Sequence, residues 1–339
     1  IDNNEMGNAG TAIRDIGTIP LFNIGKAEFE NRRNNNNRIT RNTIGTASSP
    51  IGQFGILFSN EDGLLIQRNE ISNIVGNGSA DVAAIAHIET GVGIDAVRGN
   101  SVNVNITGNK IHNIGGAPTT WGVAMNQSSV VYVVGSGPSA KKSTLPVQTG
   151  NRVTSNFIYD LRDGGTAINP ISFGTMAATY TTENDSVFNN SIAVDNAANT
   201  ITVSRSQRPF LMNNIIANNN LSSNTNAVLY NLNVPRPWQK NIASDHNLAM
   251  LANSGRIGVV SEYDRATGTF IQTRSIVSLN DWRTLTGQDI NSVSGDARFT
   301  TDSLHLPEAT SYIFSPASNA GKWLNSASQR YDIDGDERL

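Results

Sequence analysis

The stretch Ile66-Gln67-Arg68-Asn69-Glu70-Ile71-Ser72-Asn73-Ile74-Val75-Gly76 limits, more than any other, what this chain can fold into. Its skeleton is apolar, two spacers, Asn, one spacer, apolar, two spacers, apolar. The skeleton returns at Ile106-Thr107-Gly108-Asn109-Lys110-Ile111-His112-Asn113-Ile114-Gly115 and at Val153-Thr154-Ser155-Asn156-Phe157-Ile158-Tyr159-Asp160-Leu161. Looser copies surround Asn42, Asn190 and Asn213. A unit recurring every few tens of residues sets the fold before any other feature does.

The apolar positions are mostly β-branched, which favours strands over helices. No window keeps a 3.6-residue period for three turns, and Gly and Asn punctuate every unit. One unit cannot bury its own apolar side, whereas stacked copies can. Asn fits a corner of such a stack, because it tolerates left-handed backbone and bonds its neighbours. Aligned copies spaced about 4.8 Å apart also let the Asn side chains bond one another. Each repeat Asn is therefore read as structural, with Asn69, Asn109 and Asn156 sharing one corner. A second series of short strands precedes the Asn skeletons: Gly55-Ile56-Leu57-Phe58, Gly93-Ile94-Asp95-Ala96, Gly122-Val123-Ala124-Met125 and Ala167-Ile168-Asn169.

Two strands and an Asn corner at matched spacing describe one turn of an all-β, single-stranded right-handed parallel β-helix, a solenoid with an irregular C-terminal closure. Over roughly residues 30 to 250 the pattern resembles the bacterial right-handed β-helix repeat proteins. That superfamily includes pectate lyases, chondroitinase-like lyases, phage tailspikes and many surface proteins. The resemblance implies a fold and leaves the activity open.

The 339 residues suffice for a large core, and a repeat fold grows along one axis without splitting into domains. A net charge of −3 with 16% charged residues argues against a nucleic-acid partner or an anionic-membrane surface. The absence of cysteine excludes disulfides, thiolate metal sites and thiol nucleophiles. No apolar run approaches the length of a membrane span. The chain begins Ile1-Asp2, without Met or a signal peptide, as a processed protein or a piece of a longer one does. The 44 asparagines and few lysines resemble secreted or cell-surface bacterial proteins, so an extracellular location is expected.

The expected organisation is a β-helix over residues 1–253 and an irregular tail over 254–339 packing on the last turns. Ile16 to Ile24 supplies the first strands or a cap. The run Gln127 to Gly150 interrupts the repeats. It reads as a hairpin-like excursion, with Val130 to Val134 as a strand, Gly135 to Pro138 as the turn and Lys141-Lys142 at its tip. Insertions in solenoids collect on one face, often the binding face, so this segment is the expected contact for a polysaccharide, a cell-surface partner or a second copy. Ser278-Leu279-Asn280-Asp281-Trp282 and the run ending Asp334-Gly335-Asp336-Glu337-Arg338 resemble the tails of those surface proteins.

Lyases of this fold need a cation to neutralise a uronate and a basic residue to take its proton. Arg68, Arg98, Lys110, Arg152 and Arg162 are the basic residues of the regular repeats. Arg162, between Asp160 and Asp163, is the candidate catalytic residue, set against a solvated corner with local ion pairs. The Arg-x-Pro-x-x-Arg pattern of pectate lyases, the adjacent Asp pair of polygalacturonases and the Asp-Pro-His-Glu of alginate epimerases are all missing. His87, His112, His246 and His305 lie far apart in sequence. Asp332, Asp334 and Asp336 space carboxylates as a calcium loop does, with Gly335 at the bend and without a closing Glu. A calcium loop and a plain turn are both open there, and no other cofactor is expected. The sequence thus points to a non-catalytic extracellular module, structural or adhesive and glycan-contacting. The alternative is a polysaccharide lyase or related carbohydrate-active enzyme on acidic glycans.

Overall fold

The structure is a computed structural model of the chain. It describes residues 1–16, 33–78, 80–87, 101–127, 131–134, 141–144, 147–148, 150–162, 167–175, 182–195, 197–219, 227–236, 242–251, 255–264, 267 and 269–299, with positions 316 and 321. The chain is all-β, and its sheets are long and parallel. Three columns of strands organise it. The first is a seven-stranded parallel sheet of Arg38–Thr40, Leu65–Gln67, Asn105–Thr107, Arg152–Thr154, Ser186–Phe188, Phe210–Met212 and Ala243–Asp245. Each strand but the two at the ends pairs with its counterpart one repeat before and one repeat after. The middle residues Ile39, Ile66, Ile106, Val153, Val187 and Leu211 fall in register and are all buried.

The other two columns form the eighteen-stranded sheet. The second runs from Glu5–Met6 and Thr43–Ile44 through Glu70–Val75, Lys110–Gly115, Phe157–Tyr159, Ser191–Asp195, Ile215–Asn219 and Leu248–Leu251 to Val293–Ser294. The third runs Ala9–Ile16, Ile51–Ser59, Val82–His87, Thr119–Gln127, Ala167–Thr175, Asn199–Ser204, Val228–Pro235 and Arg256–Tyr263. Antiparallel Phe270–Ile276 ends it. The nine apolar residues of the three clear repeats, Ile66 through Leu161, are at most 3% exposed. Burial of one such side chain contributes about 1.5–3 kcal/mol.

Between the first and second columns stands the Asn corner. Nδ2 of Asn4, Asn42, Asn69, Asn109, Asn156, Asn190 and Asn214 each donates to Oδ1 of the next Asn, ending at Asn247, over 2.9–3.1 Å. The other amide hydrogen turns back to a main-chain carbonyl, as Asn109 Nδ2 does to Ile66 O at 3.0 Å and Asn156 Nδ2 to Ile106 O at 3.0 Å. Only an amide supplies two donors and an acceptor on so short a stem, which is why Asp or Ser does not serve here.

Two expectations change at this corner. The repeat copy around Asn213 is displaced by one residue, since Asn214 holds the ladder position. The ladder Asn is also not the left-handed residue. Positive φ falls on the residue before it: Arg41, Arg68, Gly108, Ser155, Asn189, Asn213 and His246. The corner needs one residue to bend the chain and the next to hold the stack, and the two duties fall on neighbours.

The third column departs from the sequence pattern as well. Gly93 to Ala96 lies outside the described residues, and Val82–His87 stands between Ile51–Ser59 and Thr119–Gln127, with Ile85 in register with Ile56 and Val123. Ala9–Ile16 supplies the first strand of this column, while residues 17–24 of the expected cap fall outside the described set.

Within the 127–150 insertion, Val131–Val134 pairs antiparallel with Lys141–Thr144, forming a hairpin. Lys141 and Lys142 face Val134 and Val133 across it, so they belong to the second strand and not to the tip. The sheet does not end at 253. Arg256–Tyr263 continues the third column, and Val293–Ser294 continues the second. Between them lies the helix Leu279–Thr286, capped by Ser278, whose Oγ accepts from Asp281 N, and closed by left-handed Gly287. It lays Trp282, fully buried, onto Gly258, where a Cβ would overlap the indole ring.

Candidate functional site

On the solvent side of the first column, the first two complete repeats enclose a polar hollow of about 360 Å³, lined by Ile1, Asp2, Arg38, Thr40, Arg41, Gln67 and Arg68. Strand alternation places Arg38 and Thr40 on the outer face because Ile39 between them points into the core. Gln67 lies in register with Thr40 and extends that face into the next repeat. Arg41 and Arg68 sit on the left-handed bend itself, with φ of 56° and 54°.

Those two arginines are the feature that sets this corner apart. Later repeats put Gly108, Ser155, Asn189 and Asn213 at the bend. Left-handed backbone costs a residue with a Cβ roughly 1 kcal/mol, and Gly avoids that cost. Arg at two consecutive bends spends stability that Gly would save, and it aims two guanidiniums into one hollow.

The charges there do not cancel. Asp2 takes the Arg41 guanidinium through Oδ1, 2.9 Å from Nε, and through Oδ2, and accepts from Thr40 Oγ1 at 2.6 Å. The Arg41 bond, and then the Thr40 bond, hold the Asp2 carboxyl at about 2, below the usual carboxylate range. Asp2 in turn raises the Arg41 pKa. Among the described residues, Arg38 and Arg68 have no ion-pair partner, so the hollow keeps an excess of positive charge over a floor of hydroxyl and amide groups. Planar guanidiniums of this kind match a carboxylate or another oxyanion.

Of the basic residues named from the sequence, Arg68 lines the hollow and the others are scattered by comparison. Arg162 is mostly exposed and forks onto its near neighbour Asp160, with Nε and Nη2 each 2.8 Å from a carboxylate oxygen. That bond raises its pKa, the wrong direction for a proton acceptor. Arg152 is exposed in the first column, and Lys110 is half-buried in the second. Asp332, Asp334, Asp336, Arg98 and His305 lie outside the described residues. Among those described, no group of three or more acidic or histidine side chains gathers as a metal site would. The three described histidines have separate partners: His87 is buried edge-on to Phe58, His112 lies 3.1 Å from Glu70, and His246 lies 3.2 Å from Asp245.

Asp2, Arg38 and Arg41 were not singled out by sequence reasoning, although a signal was present. The dipeptide Arg-Asn precedes the repeat skeleton at Arg41-Asn42 and Arg68-Asn69 and is replaced by Gly108-Asn109 and Ser155-Asn156 afterwards.

Compared with protein-family models, curated proteins and solved structures, the chain matches none of them. The functional reading therefore rests on the geometry above.

Proposed function

We propose that this chain is a right-handed parallel β-helix solenoid acting outside the cell as a non-catalytic binding module, whose arginine-lined hollow holds the carboxylates of an acidic polysaccharide. The solenoid reading is supported by three strand columns in which every parallel pairing steps by one repeat. One observation carries the function. Arg38 and Arg68 face one hollow with no counter-charge among the described residues, while Asp2 answers Arg41 alone. Arg41 and Arg162 are held protonated by Asp2 and Asp160, a state that suits binding and does not suit proton abstraction.

The test is binding of polygalacturonate, alginate and neutral dextran to the full chain by calorimetry. Wild type is expected to bind the two acidic polymers in a salt-sensitive way and to ignore dextran. Arg38→Ala combined with Arg68→Ala is expected to abolish that binding without unfolding the sheet. Equal binding of dextran would remove the reading. Release of an unsaturated uronate from either acidic polymer would replace it with the lyase.

A further inference from the structure

The second column carries, on the side away from the core, a row that the hollow does not use; His112, Tyr159, Ala193 and Met250 are half-buried there and Ser72 and Ala217 buried. Register sets Ser72 beside His112, and Tyr159, Ala193, Ala217 and Met250 follow one another in successive repeats. The His112 ring lies flat on the Tyr159 ring, with centroids 4.9 Å apart and planes 6° from parallel. Glu70 Oε1, 3.1 Å from His112 Nε2, pins the imidazole in that plane. On its far side Tyr159 has Ala193 as its neighbour in the row, so the next repeat offers a methyl group and no third ring. Beside this row, Lys110 and Phe157 stand in register with each other.

We propose that this row is a stacking subsite for a pyranose ring of the same acidic polysaccharide, so the inference rests on the glycan reading given above. The occupant follows from three features. A ring fixed from behind by His112 and Glu70 offers a flat, preorganised apolar face, which suits the C–H face of a sugar. Charge is complementary to an anionic chain. The Glu70 and Asp160 carboxylates are engaged by His112 and Arg162, the exposed Asp195 ends the strand that carries Ala193, and Lys110, like Arg38 and Arg68, has no ion-pair partner among the described residues, so positive charge remains in excess across the hollow and the row. The row is also continuous with the hollow. Arg68, Asn69 and Glu70 are consecutive, and only the Asn corner separates the two faces. Arg68 and Tyr159 lie two repeats apart, about 10 Å along the stacking axis. A ligand that touches both is an oligosaccharide of several residues, lying obliquely over the corner.

The experiment compares a galacturonate disaccharide with a hexasaccharide on the full chain by calorimetry. Wild type is expected to bind the hexasaccharide at least about tenfold more tightly. Tyr159→Ala is expected to reduce hexasaccharide affinity to the disaccharide level and leave the disaccharide unchanged, while Tyr159→Phe keeps the preference. Lys110→Ala, a surface change that spares the stack, is expected to weaken the hexasaccharide alone. If Tyr159→Ala and Lys110→Ala both retain the hexasaccharide preference, the subsite is refuted and the hollow stands. If Arg38→Ala with Arg68→Ala leaves both oligomers bound, the hollow is not the carboxylate site and the reading on which this inference rests falls; if neither oligomer binds wild type, the glycan reading itself falls.

Discussion

Trp282 Nε1 donates to Oδ2 of Asp289 at 2.9 Å, and through this bond the helix Leu279–Thr286 closes the asparagine ladder. Asp289 is buried, and its other oxygen accepts from Asn247 Nδ2 at 2.9 Å and from Ser292 Oγ. A column of amides, each passing a donor forward, ends on a group that only accepts. Trp282→Phe keeps the stacking on Tyr230 but leaves Oδ2 without its donor. The expected loss is roughly 2–3 kcal/mol in urea unfolding, because the orphaned group is a buried carboxylate. A loss below half that value would show that water replaces the indole.

The middle of the ladder is predicted to be less forgiving. Asn109 accepts from Asn69 N and Nδ2 and donates to Asn156 Oδ1 and Ile66 O. Asn109→Ala strands several buried partners at once, and an expected cost of about 3 kcal/mol or more follows. The same change at Asn4, which lies at the exposed end of the ladder and receives no amide from a preceding copy, is expected to cost under about 1 kcal/mol. Equal costs at the two sites would mean that the ladder acts as independent bonds.

Tyr230 is 1% exposed, and its hydroxyl has no hydrogen-bond partner among the described residues. Burial first, and nearby Asp289 second, push its pKa well above the usual tyrosine range. Because the folded pKa is raised, this group's stability contribution is complete below the unfolded value of about 10 and declines as pH rises beyond it. Tyr230→Phe is therefore expected to leave stability at neutral pH unchanged or raise it by about 1 kcal/mol, and to flatten the loss above pH about 10. A marked destabilisation at neutral pH would reveal a partner for the hydroxyl.

Asp2 and Arg41 give the hollow an acid-sensitive wall. The folded pKa of Asp2, about 2, lies below its ordinary 3.8. Its contribution is present above the ordinary value and is lost as pH falls through the folded one. Carboxyl-carbon NMR should follow that titration, and Arg41→Ala should move Asp2 upward toward 3.8, with the Thr40 hydrogen bond still holding it below. An unchanged titration in the variant would remove the pairing as its cause.

Excision of residues 131–144 with a short Gly-Ser join is predicted to leave the sheets intact. Val131–Val134 and Lys141–Thr144 pair with each other, whereas Val147–Gln148 joins the small parallel sheet with Thr182–Glu183 and must stay. Unchanged circular dichroism and unfolding midpoint are expected. Loss of cooperative unfolding would make the hairpin part of the core. Loss of self-association in the excised protein would locate that contact here.

The parallel-sheet architecture was legible because apolar residues and Asn recur at fixed offsets, and burial must follow a pattern that strict. Finer assignments failed where two residues could carry one duty. Asn213 and Asn214 read alike, and only the ladder separates bending from bonding. The strand Val82–His87 was hidden because Ala83, Ala84 and Ala86 lack the usual β-branched look. The hollow was least visible. Asp2 reaches Arg41 across 39 residues of sequence, and no local pattern announces a contact of that range.

The intervals along the asparagine ladder run from 24 to 47 residues, yet every step delivers the same bond. The chain keeps its place by counting corners and not residues. Whatever lies between a strand of one column and the next corner can lengthen, shorten or be exchanged without shifting the phase of anything downstream. A frame of this kind separates what a surface displays from what holds it upright, so new loops can be seated between corners while the amides keep count.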